Sequence, residues 1–213
     1  MDRLRIAIPK GRIGEDTVEL FNKIGIGKSI DMKSRKLVFN DYENNIEFVL
    51  LKNADVITYV ENGVADIGIV GKDMIIESKK DVYELHNLKF GYCQMCIAGK
   101  EDKEIYNSES VLKVATKFTN SAKEYFENKG QEISIIKLNG SVELAPVLGL
   151  TDVIVDIVET GSTLKANGLK VLEKMYPINS MLICNKISYR FKYEKINRII
   201  KEIIEMEGDK KDD

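Results

Sequence analysis

Short apolar runs with strand character alternate with amphipathic helical patterns along almost the whole chain. No other feature limits the fold as much. The strand-like runs occupy residues 4–8, 37–39, 46–51, 67–70, 111–115, 133–136, 153–157, 171–172 and 181–184. Between many of them, apolar residues recur at helical spacing over residues 15–24, 54–62, 121–128 and 142–148. A final helical pattern over residues 193–207 carries Ile196, Ile199, Ile200, Ile203 and Ile204 on one stripe. Alternation of this kind predicts an α/β fold with mainly parallel sheets. No long Pro/Gly/Ser-rich linker and no internal repeat interrupts it, and the charged tail after Glu207 is expected to be disordered.

Composition excludes several classes of function. A chain of 213 residues has room for one large or two small domains with a substantial core. With 44% hydrophobic and 31% charged residues, it reads as an ordinary soluble globular protein. The 32 basic and 34 acidic residues leave a net charge of −2, so no basic stripe argues for nucleic acid. The opening "MDRLRIAIPKGR" lacks the apolar stretch of a signal peptide. No window approaches the run of about 18 apolar residues that a membrane span needs. Three cysteines without a disulfide framework suit a reducing compartment, and a cytoplasmic location is expected.

Three motifs suggest chemistry and are better explained by structure. Cys93 and Cys96 have the C-x-x-C spacing of zinc and redox sites, but there is no second pair. The surrounding "GYCQMCIAG" reads as a strand, where positions three apart face opposite sides, so packing is expected. The stretch "NKIGIGKS" ends like a phosphate loop, yet Asn22 stands where the first glycine belongs. Its predecessor carries Val18, Phe21 and Ile24 at helical spacing, so Gly25 and Gly27 are expected to end a helix. His86 is the only histidine, which excludes histidine metal clusters and histidine-base triads.

Three loops that follow strands carry the functional signal. The first is "AIPKGRIGED", where Lys10 and Arg12 flank Gly11 just beyond a strand end. In the second, "NGVADIGIVGKD", Gly63 can cap a helix and Gly71 opens a tight loop toward Asp73, letting backbone amides approach a ligand. The third and most specific is "VDIVETGSTLKANG". There, backbone N–H groups and the hydroxyls of Thr160, Ser162 and Thr163 can converge beside Gly161, at the start of a helix-compatible segment. That geometry suits a phosphate monoester. Asp156 and Glu159 would repel a phosphate, so they are expected to face a ribose diol or a Mg²⁺ ion. Phosphate, sugar and metal together point to a phosphoribosyl group.

"VIVDIVETGSTL" resembles the loop that binds 5-phosphoribosyl-1-pyrophosphate (PRPP) in phosphoribosyltransferases. The common class of those enzymes has two adjacent acids, and Val155 occupies the first of those places. The longer stretch "ELAPVLGLTDVIVDIVETGSTLKANGL" is instead similar to the signature of the ATP phosphoribosyltransferases, with Thr151 where that family usually has alanine, glycine or serine. "AIPKGRIGEDT", "SRKLVF" and "DVITYVENGVADIGIVGKD" fit the same family in order and spacing, so the similarity covers essentially residues 4–207.

The resemblance implies transfer of phosphoribosyl from PRPP to N1 of the ATP adenine ring with Mg²⁺, releasing pyrophosphate, as the first step of histidine biosynthesis. It assigns Glu159, Thr160, Gly161, Ser162 and Thr163 to the 5-phosphate, and Asp152 and Asp156 to the ribose or its metal. Lys10, Arg12 and Arg35 would carry the pyrophosphate and nucleotide phosphates, with Gly11, Gly71, Asp73 and Glu143 toward ATP. The implied fold is a two-lobed, type II periplasmic-binding-protein-like architecture with the active site in the interlobe cleft. One lobe would comprise residues 1–88 plus 178–213, and the other residues 89–177. Only six residues follow Glu207, too few for a further domain of ~50 residues or more. The resemblance is therefore to the short form, expected to be a homodimer alone and a hetero-oligomer with a regulatory subunit resembling histidyl-tRNA synthetase. Two other readings compete: a small-molecule binding or sensor domain of similar fold, and a phosphoribosyltransferase with another acceptor.

Overall fold

The computed structural model describes residues 3–107 and 110–208; the tail expected to be disordered lies, beyond Gly208, outside them. The strands in chain order are β1 (Leu4–Pro9), β2 (Val38–Asp41), β3 (Ile46–Leu51), β4 (Ile67–Gly71), β5 (Tyr83–Asn87), β6 (Cys93–Gly99), β7 (Leu112–Thr116), β8 (Ile133–Lys137), β9 (Val153–Val158), β10 (Lys170–Ile178) and β11 (Ser180–Cys184). The helices are α1 (Arg12–Lys23), α2 (Asn53–Glu61), α3 (Lys72–Ser78), α4 (Thr119–Asn128), α5 (Leu144–Val147), α6 (Ser162–Ala166), α7 (Lys186–Phe191) and α8 (Tyr193–Gly208).

Two compact units result, each built on one sheet. The first contains the described chain up to Ile75, Lys79–Gly91 and the chain from Asn179 onward, with strand order β2-β3-β1-β4-β11-β5. The second contains Ile76–Ser78 and Tyr92–Ile178, with strand order β10-β6-β9-β7-β8. Lys89 and Phe90 stay with the first unit because their backbones are held there. The Lys89 amide donates to Glu207 at 3.0 Å, and the carbonyl of Phe90 accepts from Ser180 at 3.1 Å. Ile76–Ser78 group with the second unit because the Glu77 carboxylate accepts from the amides of Asn120 and Ser121 at the start of α4.

The sheets are mixed, which corrects the expectation of mainly parallel ones. β1 runs parallel to β3 and β4, and β7 parallel to β8 and β9. The pairs β2/β3, β4/β11, β5/β11, β6/β9 and β6/β10 are antiparallel. A turn as short as that between β2 and β3, with Asn45 at φ 52°, can only bring the chain straight back.

In the first unit, Leu4, Ile6 and Ile8 of β1 pack with Phe21, Phe48, Ile67 and Ile69 against the apolar face of α8. On that face Ile196, Ile199 and Ile203 are buried, whereas Ile204 is 47% exposed because it lies one helical step beyond the stripe. α1 ends at Lys23, with Gly25 and Gly27 at positive φ, as the helix-ending reading of "NKIGIGKS" requires. In the second unit Cys96 is buried and Cys93 only partly so; both lie on β6 and neither forms a disulfide.

Candidate functional site

In the second unit the carboxyl ends of β7 and β9 lie side by side, since Val114 pairs with Val153 and Ala115 with Ile154 in parallel. At this edge the chain leaves β9, turns through Glu159–Gly161 and enters α6. Gly161 has φ 74° and ψ 6°, a left-handed conformation that costs other residues roughly 1–2 kcal/mol. A β-carbon there would meet nothing closer than Val158 at 3.8 Å, so backbone conformation and not space demands the glycine. Leu164 anchors the short helix in a cluster with Ala98, Ala115, Ile154 and Leu169. That anchoring leaves Thr160, Ser162 and Thr163 exposed, with the hydroxyls of Thr160 and Ser162 3.0 Å apart.

The loop closes one side of a cavity of about 300 Å³ that Glu143 and Asp156 also line. Burial raises the carboxyl of Asp156 above its ordinary range. The Ile157 amide and the Lys117 charge oppose that rise, and the Glu143 charge reinforces it. Glu143 stands immediately before α5, two residues after Ser141, a non-glycine residue at φ 47°. Glu143, Asp156, Glu159, Thr160, Gly161, Ser162 and Thr163 are thus brought together.

Asp152 does not line that cavity. It immediately precedes β9, four residues before Asp156, which in an extended chain is about 13 Å. Its carboxylate pairs with Lys103 at 2.8 Å and accepts from the Lys113 amide at 2.9 Å. Burial opposes ionisation of Asp152, but these partners outweigh it and hold the carboxyl below its ordinary range.

The remaining sequence candidates gather at one edge of the first unit. Parallel pairing of β1 with β3 and β4 brings the end of β1, and with it Lys10 and Gly11, to the same sheet edge as Lys52 and Gly71, where α1 with Arg12 and α3 with Asp73 begin. Lys10 is fixed there by its amide, which donates to Leu51 at 2.7 Å. β2 enters antiparallel to β3, with Val38 opposite Val49, so Arg35 reaches the same edge from the loop before it. Gly71 has a steric reason: a β-carbon would sit 2.1 Å from Oδ1 of Asp73, whose buried carboxylate folds back over it.

Sequence reasoning passed over Asn53 and Lys117. Asn53 begins α2, and its Oδ1 is buried without a hydrogen-bond partner among the described residues. The only signal was an asparagine at a strand-to-helix junction. Lys117 follows β7 and acts electrostatically on Asp156; a lone lysine after a strand carries no motif. Among the described residues no group of three or more His, Cys, Asp or Glu side chains could hold a metal ion.

Similarity to known proteins identifies the family. The family model "HisG: ATP phosphoribosyltransferase" matches residues 52–205. The ATP phosphoribosyltransferase of Clostridioides difficile (strain 630) is 56% identical over 208 residues, covering 98% of this chain and all of that protein. That of Thermoanaerobacter sp. (strain X514) is 52% identical over 211 residues, covering 96% of this chain and 98% of that one. Among solved structures, the ATP phosphoribosyl transferase (HisG:HisZ) complex from Thermotoga maritima superposes with TM-score 0.82 at 37% identity. It covers 95% of this chain and 97% of that one. The periplasmic aliphatic sulphonate binding protein SsuA from Escherichia coli matches with TM-score 0.61 at 17% identity, over 96% of this chain and 72% of that one. That last likeness establishes the type II periplasmic-binding-protein-like fold and nothing about activity. Identity of more than one half over nearly the full length of two relatives, joined to the family match, means that this chain belongs to the ATP phosphoribosyltransferase family.

Proposed function

We propose that this chain transfers phosphoribosyl from PRPP to N1 of the ATP adenine ring, the first step of histidine biosynthesis, through the loop that follows β9. The observation that carries this reading is the convergence of Glu143, Asp156 and the loop Glu159–Thr163 on one cavity, in a chain of this family. In the reaction the bond from C1 of the ribose to pyrophosphate breaks, its electron pair leaving with pyrophosphate. The lone pair of N1 forms the new bond.

Each group has a part in that exchange. The hydroxyls of Thr160, Ser162 and Thr163, with the backbone amides at the start of α6, take the 5-phosphate. Asp156 accepts from the ribose hydroxyls. Lys10, Arg12 and Arg35 bind pyrophosphate and the phosphates of ATP, and Gly11, Gly71 and Asp73 shape the nucleotide side. Because N1 already has a lone pair, positioning and charge stabilisation carry catalysis and no histidine base is needed. His86 is occupied elsewhere, 2.8 Å from the carboxylate of Glu207.

The family works with a divalent metal, and we take it to be Mg²⁺. The donor set fits: Asp156 and Glu143 supply hard carboxylate oxygens, and a Mg²⁺ ion commonly takes one or two of these with water and substrate oxygens. Bound there, it neutralises negative charge on the substrate. The related Thermotoga maritima structure is a HisG:HisZ complex. By that likeness we propose that this chain joins a HisZ-type partner, and we take it to be a homodimer when alone and its partner to be a regulatory subunit resembling histidyl-tRNA synthetase. No helix among the described residues is long and apolar enough to cross a membrane, in keeping with a cytoplasmic location. The decisive assay follows pyrophosphate release from PRPP and Mg²⁺ with ATP, orotate or a purine base as acceptor. Release only with ATP is expected; release with a base would transfer the assignment to another phosphoribosyltransferase class.

A further inference from the structure

The cavity after β9 has a charge imbalance. Three carboxylates, Glu143, Asp156 and Glu159, line it, and no lysine or arginine among the described residues does. Its proposed ligand is a polyanion, so a cation must be supplied from just outside the lining. Several lysines lie near this edge of the second unit; Lys174 of β10 is level with Asp156 but two strands away, across Cys96 of β6. Lys137 ends β8, two strands away from β9, and Lys165 lies on α6 a turn past Gly161, its amide bonded to the Gly161 carbonyl. Lys117 follows β7, the immediate parallel neighbour of β9. Continuing the register from Ala115 and Ile154 brings it level with Asp156.

Local structure holds Lys117 at that position. The fully buried Thr116 donates its hydroxyl to the carbonyl of Val155 at 2.6 Å and accepts the Phe118 amide at 2.8 Å. One side chain therefore ties both neighbours of Lys117 to the strand that carries Asp156. The ammonium lies 4.6 Å from the centre of the Phe118 ring, an arrangement that orients it without consuming its charge in an ion pair. The residue itself is exposed.

Resting on the PRPP assignment above, we infer that Lys117 is a further substrate-binding cation, held level with Asp156 by Thr116 as its positioning residue. Lys117 offsets the acids of the cavity when it is empty and contacts an anionic group of PRPP when it is filled. An ammonium is adequate for this, because a single charged contact needs no bidentate fork.

The test measures PRPP affinity by titration calorimetry on the full chain, for wild type, Lys117→Ala, Lys117→Arg, Thr116→Val and the Thr116→Val/Lys117→Ala double variant. Lys117→Ala is expected to weaken PRPP at least about tenfold, as loss of a charge-assisted contact does. Lys117→Arg should stay within about threefold of wild type. Thr116→Val should weaken PRPP in the wild-type background and add nothing when Lys117 is already alanine, the coupling expected of a residue acting through another. Affinity within twofold of wild type in Lys117→Ala overturns the assignment of the lysine alone. An additive double variant overturns the role given to Thr116, and a wild-type chain that binds no PRPP overturns the site itself. Should Thr116→Val fail to fold, the alanine and arginine variants at Lys117 still decide the main question.

Discussion

Asp156 and Glu143 line one cavity as two carboxylates of like charge, with no basic side chain in that lining among the described residues. Burial is the largest influence on Asp156 and pushes its carboxyl upward. Glu143 adds to it, and the Ile157 amide and Lys117 counter only part. An arrangement that disfavours charge in the empty protein is stabilised once a cation or hydroxyl donors arrive.

Stability should therefore depend on Asp156 in a defined direction. Its folded-state carboxyl titrates above the unfolded one, so its contribution is intact below the unfolded value of about 4 and is lost as pH rises through the folded value. Asp156→Asn removes that penalty. At pH 7 we expect Tm to rise by roughly 2–4 °C, the shift about 1 kcal/mol makes in a chain of this size, and the gain to vanish near pH 4. The same variant should lose most PRPP-dependent turnover. Thermal melts at the two pH values decide it, and a lower Tm at pH 7 would sink the electrostatic account.

The phosphate role of the loop is tested by deleting hydroxyls. Thr160→Val and Thr163→Val change volume little, and each removes one donor toward a charged group, costing ~1.5–3 kcal/mol. Apparent PRPP affinity should fall about ten- to hundredfold in each, with the melting temperature nearly unchanged because both residues are exposed. Unchanged affinity in both would remove the 5-phosphate from this loop.

For Arg35 the expected effect is on turnover. If this exposed arginine meets the leaving pyrophosphate, Arg35→Ala lowers kcat by roughly 10²-fold or more. Arg35→Lys should restore only part of that, since an ammonium lacks the planar fork. Wild-type steady-state kinetics in the alanine variant would make this residue a solvated surface charge.

Glu207 separates stability from catalysis. This buried residue of α8 accepts from the Lys89 amide at 3.0 Å and meets His86 of β5 at 2.8 Å. Glu207→Ala leaves the part-buried Lys89 amide without this partner and removes the contact with His86, at a cost of about 1 kcal/mol. Denaturant midpoints should fall while pyrophosphate release per folded molecule is retained. A selective loss of turnover without loss of stability would give Glu207 a catalytic part that its position does not explain.

Periodicity and loop chemistry in the sequence were enough to determine the α/β class, most of the strands, the long amphipathic helix and the loop from Glu159 to Thr163. These signals are local: spacing reports which face is buried, and a glycine among hydroxyls reports a turn that can bind an anion. β5 escaped notice because Tyr83–Asn87 is an edge strand of exposed and half-buried residues. α3 and α7 are too short for a helical period to stand out. Only tertiary structure decided the antiparallel pairings, because a strand's own sequence is silent about the direction of its neighbour. It also decided which acids share a cavity. Asp152 and Asp156 are both aspartates four residues apart, yet an ion pair with Lys103 and the Lys113 amide hold the first away from the cavity, while the second lines it with Glu143. Lys117 and Thr116 became visible for the same reason: their importance lies in the parallel register of β7 against β9, a relation between residues far apart in the chain.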